Sequence, residues 1–321
     1  MTQPTESYLK FHYGLRPKKQ IERRMIIDAL HIMACAGFQI GDYQYTGFGS
    51  VYFIDFIMFH KLLGIKRMLS VEYSANIRKR VKFNCPFSNI DIKFGPISDF
   101  IPDLSPDISH LLWLDYDYGL NSEMLYDVSL SAAKLSPGSL LIITVDNEPP
   151  EVEIKPPKCH AGPKEWMEYF KEQAGDYFSL GWTEGDFGRN NLFRVNDAIL
   201  MNALSSGLAS RPDVNFYPIF NFLYADGHEM LTVGGVIGTG REQRLLNACG
   251  FDNAIYIRRN LEAEPYRIVL PNLTYKEKLY LDNAMPCKDG WKPREFDLNE
   301  ESINAYREIY RFYPHYVEML L

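Results

Sequence analysis

Cysteine is scarce and scattered: Cys35, Cys85, Cys159, Cys249 and Cys287 stand singly, with no C-x-x-C pair, so neither a zinc site nor a disulfide framework has its spacing. No run of 18 apolar positions occurs, which excludes a membrane-spanning helix. The opening MTQPTESYLKF has no charged region feeding an apolar stretch, so no secretory signal is read and the cytoplasm is the expected compartment. Basic charge is also in deficit. A formal charge of −7 argues against binding nucleic acid over the whole surface and leaves two local basic stretches, residues 16–24 and 77–82. There is no G-x-x-x-x-G-K-[ST] loop to cradle a nucleoside triphosphate, no internal repeat and no low-complexity tract.

What is present is ample: 321 residues, 46% apolar and 23% charged, can bury a large core and read as an ordered chain. Pro17 suits the first turn of a helix and Gly37 its stop, and Ile21, Met25, Ala29, Ile32 and Ala36 recur between them every three or four positions. Arg16, Lys19 and Arg23 form a basic strip on that helix. It is either a solvated face or a contact for an acidic substrate, nucleic acid or partner chain. The next stretch alternates strand and helix, the pattern of a parallel sheet covered on both faces. YQYTG, RMLSVEY, IDIKFG, HLLWLDYDYG and SLLIITVDN read as strands, with helices VYFIDFIMFHKLLG, RKRVKFNC and EMLYDVSLSAAKL between them. EPPEVEIKPPKCHAGP holds five prolines in sixteen residues, so a long loop is expected there, of the length that lids have. Helical stretches near Lys164–Gln173 and Asn190–Leu208 precede a hairpin turning at Asp226 and Gly227. Thr274 and Glu277 form a capping pattern, and an aromatic last helix should break at Pro314. The predicted organisation is a helical extension over 1–39, an α/β domain over 40–240 with an inserted loop at 146–190, and a helical extension over 241–321 that covers the pocket or forms a homodimer.

Doubly wound sheets bind ligands at the carboxyl ends of their strands, near the switch in strand order. The first strand-to-helix turn holds Gly47, Phe48, Gly49 and Ser50. Glycines let the backbone approach a ligand and the helix start offers free N–H groups, although the same residues also suit a tight turn that binds nothing. Glu72, with Tyr73 after it, ends the second predicted strand 23 residues past Gly49. A carboxylate there accepts both hydroxyls of a ribose, or else is solvated. Asp55 is the one acid in an apolar helix and needs a partner such as an arginine, or a cavity. Trp113-Leu114-Asp115-Tyr116-Asp117-Tyr118-Gly119 places two carboxylates and two phenols after a buried strand. Asp115 and Asp117 point the same way while the chain is extended. In one pocket, their repulsion would raise one pKa and either could take a proton. The alternative is that Asp115 caps the next helix or binds backbone amides.

The arrangement resembles the class I methyltransferases that use S-adenosylmethionine, over roughly residues 40–240, with the hairpin 215–237 similar to their antiparallel last strand. The resemblance implies an α/β fold: a doubly wound, mostly parallel, seven-stranded sheet with an antiparallel last strand, an N-terminal helix and a helical C-terminal extension. It implies S-adenosylmethionine as cofactor, with Gly47, Phe48, Gly49 and Ser50 along the methionine moiety, Glu72 and Tyr73 at the ribose, Ile97, Ser98 and Asp99 at the adenine, and Asp115 facing the methyl group. Two departures stand out: Tyr45 occupies a position where the family usually carries an acid, and Val51 replaces a third glycine. YTGFGSVYFIDF is also similar to a bacterial methyltransferase-like group. The Asn-Pro-Pro-Tyr and Asp-Pro-Pro-Tyr tetrapeptides of amino-methylating nucleic-acid enzymes are missing, the Cys159–His160 pair is read as incidental, and Asp226, His228 and Glu229 as turn residues rather than metal ligands. The implied reaction is methyl transfer to an oxygen or nitrogen of a small-molecule, protein or nucleic-acid acceptor. Asp115 or Asp117 would be the base and Tyr116 and Tyr118 would orient, with Tyr118, Arg16, Lys19 and Arg23 toward the acceptor. Other readings keep the fold: a ligand-binding or protein-interaction module without the chemistry, or action on RNA or DNA through the basic segments.

Overall fold

The computed structural model describes residues 16–152 and 161–314; Cys159 and His160 lie outside them. Helix α1 (Pro17–Cys35) leads into β1 (Gln44–Gly47), α2 (Ile54–Leu63), β2 (Arg67–Glu72), α3 (Arg78–Asn84), β3 (Ile90–Phe94), β4 (His110–Asp115), α4 (Ser122–Lys134) and β5 (Ser139–Asp146). Then follow α5 (Pro163–Ala174), α6 (Leu192–Leu208), β6 (Asn215–Ala225), β7 (Glu229–Gly238), α7 (Gly240–Ala248), β8 (Tyr266–Arg267), α8 (Tyr275–Ala284) and α9 (Glu300–Ile309). The strands carry β-branched or aromatic residues; β3 alternates apolar and polar positions, whereas those buried on both faces, such as β4 and β5, are apolar almost throughout. The capping pattern predicted for α8 is made: the Thr274 N–H donates to Glu277 Oε2 at 2.7 Å.

The strands form one sheet in the order β3-β2-β1-β4-β5-β7-β6-β8. Strands β1 to β5 are parallel, and β7 runs antiparallel to both β5 and β6. The two-residue β8, parallel to β6, adds an eighth strand to the predicted seven. Consecutive strands diverge to either side of the β1–β4 boundary, so that boundary is the switch point. One hydrophobic core lies under α1, α2 and the C-terminal segment, the other under α4, α5 and α6.

The inserted stretch after β5 does not hang free where it is described. Phe170, Phe178, Trp182 and Phe187 form an aromatic cluster on the second core, and Arg189 pairs with Glu148 at 2.8 Å. The C-terminal region likewise joins the first core through Ile309 and Phe312, and Tyr256 donates to Asp28 of α1 at 2.7 Å.

Helix α1 packs on the sheet face with its start at the carboxyl ends of the strands. Arg16 gives its N-terminus no side-chain cap. The cap comes from the β6–β7 turn, where Asp226 accepts from the N–H groups of Lys18 at 3.2 Å and Lys19 at 2.9 Å. A carboxylate there satisfies orphan donors and opposes the positive helix end. Asp226→Ala should cost about 1 kcal/mol of stability; chemical denaturation checks this, and an unchanged midpoint would show that water caps the helix equally well.

Candidate functional site

Three strand ends define the carboxyl edge at the switch point: Gly47 of β1, Glu72 of β2 and Asp115 of β4. They are brought together by register, because Gly47 pairs with Ser70 on one side and Trp113 on the other.

The glycines of the first turn are explained by the protein's own packing. A Cβ at Gly47 would sit 2.5 Å from the Tyr45 hydroxyl, and one at Gly49 would sit 2.5 Å from Ser70 Oγ and 2.9 Å from the Phe53 ring. Tyr45 itself is buried edge-on against Phe56 and Phe59, so the residue standing where an acid was expected belongs to the core. The loop shows a second feature that the sequence does not betray. Ser50 (φ +48°) and Phe53 (φ +51°) both adopt the left-handed region without being glycine. Such conformations are costly, persist where surroundings impose them and concentrate at functional loops.

Glu72 turns inward. It is 7% exposed, accepts from Ser70 Oγ at 3.3 Å, and faces the backbone of Ser50 and Gly49. Burial pushes its carboxyl up to about 7, against the opposing pull of Ser70 and the loop amides. Tyr73 beside it is 81% exposed. Ile97, Ser98 and Asp99 form a 3-10 turn after β3, with Ile97 buried and Asp99 exposed.

Asp115 sits among cations. Its Oδ1 accepts from Lys19 Nζ at 2.6 Å, and the side chain stays 18% exposed toward the edge. Burial would raise its pKa, but Lys19 and then Arg16 and Arg23 outweigh this and hold the carboxyl below its ordinary range. The expected repulsion with Asp117 is not what governs it: the chain bends after β4 and Asp117 is exposed. Tyr116 is buried, and its hydroxyl donates to Asp127 Oδ2 at 2.7 Å, tying the β4 end to α4. Burial raises Asp127 to about 6. Phe48, Tyr116 and Tyr118 form an aromatic row along the edge, with successive centroids 5.4 Å apart.

Of the predicted basic strip, Lys19 and Arg23 lie inside rather than on a solvated face, and Arg16 is half-buried. Lys19 and Arg23 are buried, Lys19 Nζ also lies 2.9 Å from Glu22 Oε2, and Arg23 Nε pairs with Asp55, the arginine partner anticipated for that lone acid. The Lys19 ammonium stands 4.5 Å over the Trp113 ring centroid. Glu22 is wholly buried, and burial together with the Asp115 charge raises its pKa against the pull of Lys19, favouring the neutral acid. Burial works against the Arg23 charge, yet Asp55 prevails and its pKa is raised. This cluster of Lys19, Glu22, Arg23, Asp55 and Asp115 was missed in the sequence. The available signal was that Lys19 and Arg23 continue, at helical spacing, into buried Ile26, Leu30 and Met33.

Asp226 caps α1, His228 pairs with Asp146 at 3.2 Å, and Glu229 accepts from Asn147 at 2.7 Å, all consistent with turn roles. Among the described residues no group of three or more His, Cys, Asp or Glu is placed to hold a metal ion, and no helix is long and apolar enough to cross a membrane. A groove of about 510 Å³ lined by Gln44, Arg67 and Asn89 lies at the opposite, amino ends of β1 to β3, away from these groups.

A sheet ordered 3-2-1-4-5-7-6 with strand seven reversed, and with acids ending strands two and four at its switch point, defines the class I methyltransferase fold. The chain belongs to the family described as "Putative O-methyltransferase", which matches residues 11–321. Among solved structures it is similar to Trm1 from Pyrococcus horikoshii, solved with S-adenosyl-L-methionine, at 13% identity and a TM-score of 0.46, covering 73% of this chain and 57% of that one. It is also similar to the O-methyltransferase TomG from Streptomyces achromogenes, solved with SAM, at 12% identity and a TM-score of 0.35, covering 66% of this chain and 80% of that one. No curated protein matches the chain.

Proposed function

We propose that the protein transfers a methyl group from S-adenosylmethionine to a hydroxyl oxygen of its acceptor. Family membership supports the reaction class, and the observation that carries the site is Glu72, a buried carboxyl aimed at the Gly49–Ser50 turn rather than at water. The residues present fit the cofactor: Glu72 for the ribose diol, the Ile97–Asp99 turn for the adenine, the Phe48–Ser50 turn for the methionine part and Asp115 toward the sulfonium. When bound, the cofactor supplies an electrophilic methyl. The protein's work is then alignment and proton removal. Asp115, held ionised by Lys19, would accept a hydrogen bond from the acceptor hydroxyl and take its proton, the methyl coming to the oxygen as its bond to sulfur breaks and the neutral thioether leaves. Tyr116, its hydroxyl committed to Asp127, acts by holding the β4 end in place, while Tyr118 and the exposed Asp117 lie on the acceptor side.

Glu72 offers the test. Its carboxyl is raised above the ordinary value of 4.5 to about 7, so the free protein favours the protonated form only below about pH 7. The stability this contributes is full below pH 4.5 and lost as pH rises through 7. Ribose hydroxyls donate to the carboxylate, so cofactor affinity should rise through the same window. Glu72→Gln should weaken S-adenosylmethionine roughly 10- to 100-fold, the equivalent of one charge-assisted hydrogen bond or two, and flatten its pH dependence between 5.5 and 8. Calorimetry at several pH values reads both, and a Gln variant that binds as tightly as the parent removes Glu72 from the site.

A further inference from the structure

The two basic stretches of this acidic chain meet opposite fates. The first is largely drawn inward: Lys19 and Arg23 are buried on carboxylates, and Arg16, Lys18 and Arg24 are half-buried. The second stays outside. Helix α3 presents Arg78, Lys79, Arg80 and Lys82 exposed, and Val81 is its buried residue. Residues 73–90 contain no acid at all, so a segment of formal charge +4 stands out from a chain of −7. Two large aromatic side chains flank these cations with their rings outside the core: Tyr73 is 81% and Phe83 is 88% exposed. Arg78 is pre-set, its guanidinium 4.4 Å from the Phe94 ring centroid.

We infer that the α3 face docks a single-stranded nucleic acid. Cations along a short path neutralise successive phosphates, and exposed aromatic rings offer stacking platforms to unpaired bases; this pairing of charge and ring is what single strands require. A duplex hides its base faces and gains little from Phe83. An acidic protein would use the cations but has no planar bases to stack on the rings. The segment starts next to Glu72 at the end of β2, so a strand lying on α3 runs to the mouth of the candidate site. The inference is tested apart from the methyl-transfer reading: Tyr73 adjoins both regions, but Lys79, Lys82 and Phe83 are none of the residues assigned to the cofactor.

Fluorescence anisotropy with a 20-nucleotide oligouridylate on the full chain tests it. Binding is expected, with log affinity falling against log salt at a slope of about −2 to −3, as three or four single-strand phosphate contacts produce. Lys79→Glu with Lys82→Glu should lower affinity at least 10-fold at low salt, and Phe83→Ala should lower it about 10-fold, within the range of one lost base stack. Calorimetric S-adenosylmethionine binding should be the same in these variants and the parent, which separates failure here from failure of the cofactor reading. No binding of oligouridylate at low salt overturns the inference, as does binding that the charge reversals leave unchanged. A preference for duplex of equal length, or for phosphatidylserine vesicles over the oligonucleotide, overturns it too.

Discussion

Lys19→Met is expected to destabilise the folded protein by about 3 kcal/mol, the lower end of the range for removing one partner of a buried ion pair. For a chain of this size that is a fall in melting temperature of roughly 4–6 °C. The reason is geometric. The Lys19 ammonium touches Asp115 at 2.6 Å and Glu22 at 2.9 Å and covers Trp113, so methionine fills the space yet leaves an ionised Asp115 facing only Arg16 and Arg23 at longer range. The 18% exposure of Asp115 lets water recover part of the loss, hence the lower end. Lysine to arginine is no rescue, because a planar fork does not fit a site built around a point charge. Removing the charge on both sides, as Lys19→Met with Asp115→Leu, should recover most of the stability. A single-variant loss under about 1 kcal/mol, the ordinary worth of an exposed pair, would show that the cluster is solvated.

Asp115→Asn should behave differently. The cluster sets Lys19, Arg23 and the more distant Arg16 against Asp115 and Asp55, while burial pushes the Glu22 carboxyl up toward its neutral form. When Asp115 loses its charge, one influence raising Glu22 disappears, which favours pairing of Glu22 with Lys19, 2.9 Å away. The protein therefore keeps most of its stability while the acceptor hydroxyl loses its base. Turnover, read as demethylated cofactor released with an accepted hydroxyl compound, should fall about 10²- to 10⁴-fold, the usual contribution of a positioned base. Cofactor affinity should change far less. Unchanged turnover would reassign Asp115 to structure.

The architecture was legible because each element carries its own local signal. Five strand-like runs alternating with helices, and a hairpin at Asp226-Gly227, were enough to predict a doubly wound sheet; its reversed last strand came from the resemblance to the class I methyltransferases. Strand β8 was not legible, since two residues have no periodicity. At the candidate site, Glu72 and Asp115 were predicted at strand ends beside the switch point because topology alone places strand ends there, and both do end their strands. The glycine signal was ambiguous for a physical reason: Gly47 and Gly49 make room for Tyr45, Ser70 and Phe53, and a sequence cannot say whether a missing Cβ yields to a ligand or to a neighbour. Lys19 and Arg23 were misplaced outward because charge was weighed before helical phase. The strained Ser50 and Phe53 were invisible, as ordinary residues carry no mark of an unusual φ.

Titration calorimetry of the unmodified protein with S-adenosylmethionine and with its demethylated product weighs the whole account. One site per chain with micromolar or tighter affinity for either ligand, lost in Glu72→Gln, is the predicted result. Silence up to millimolar ligand, in a protein that remains folded, would contradict it.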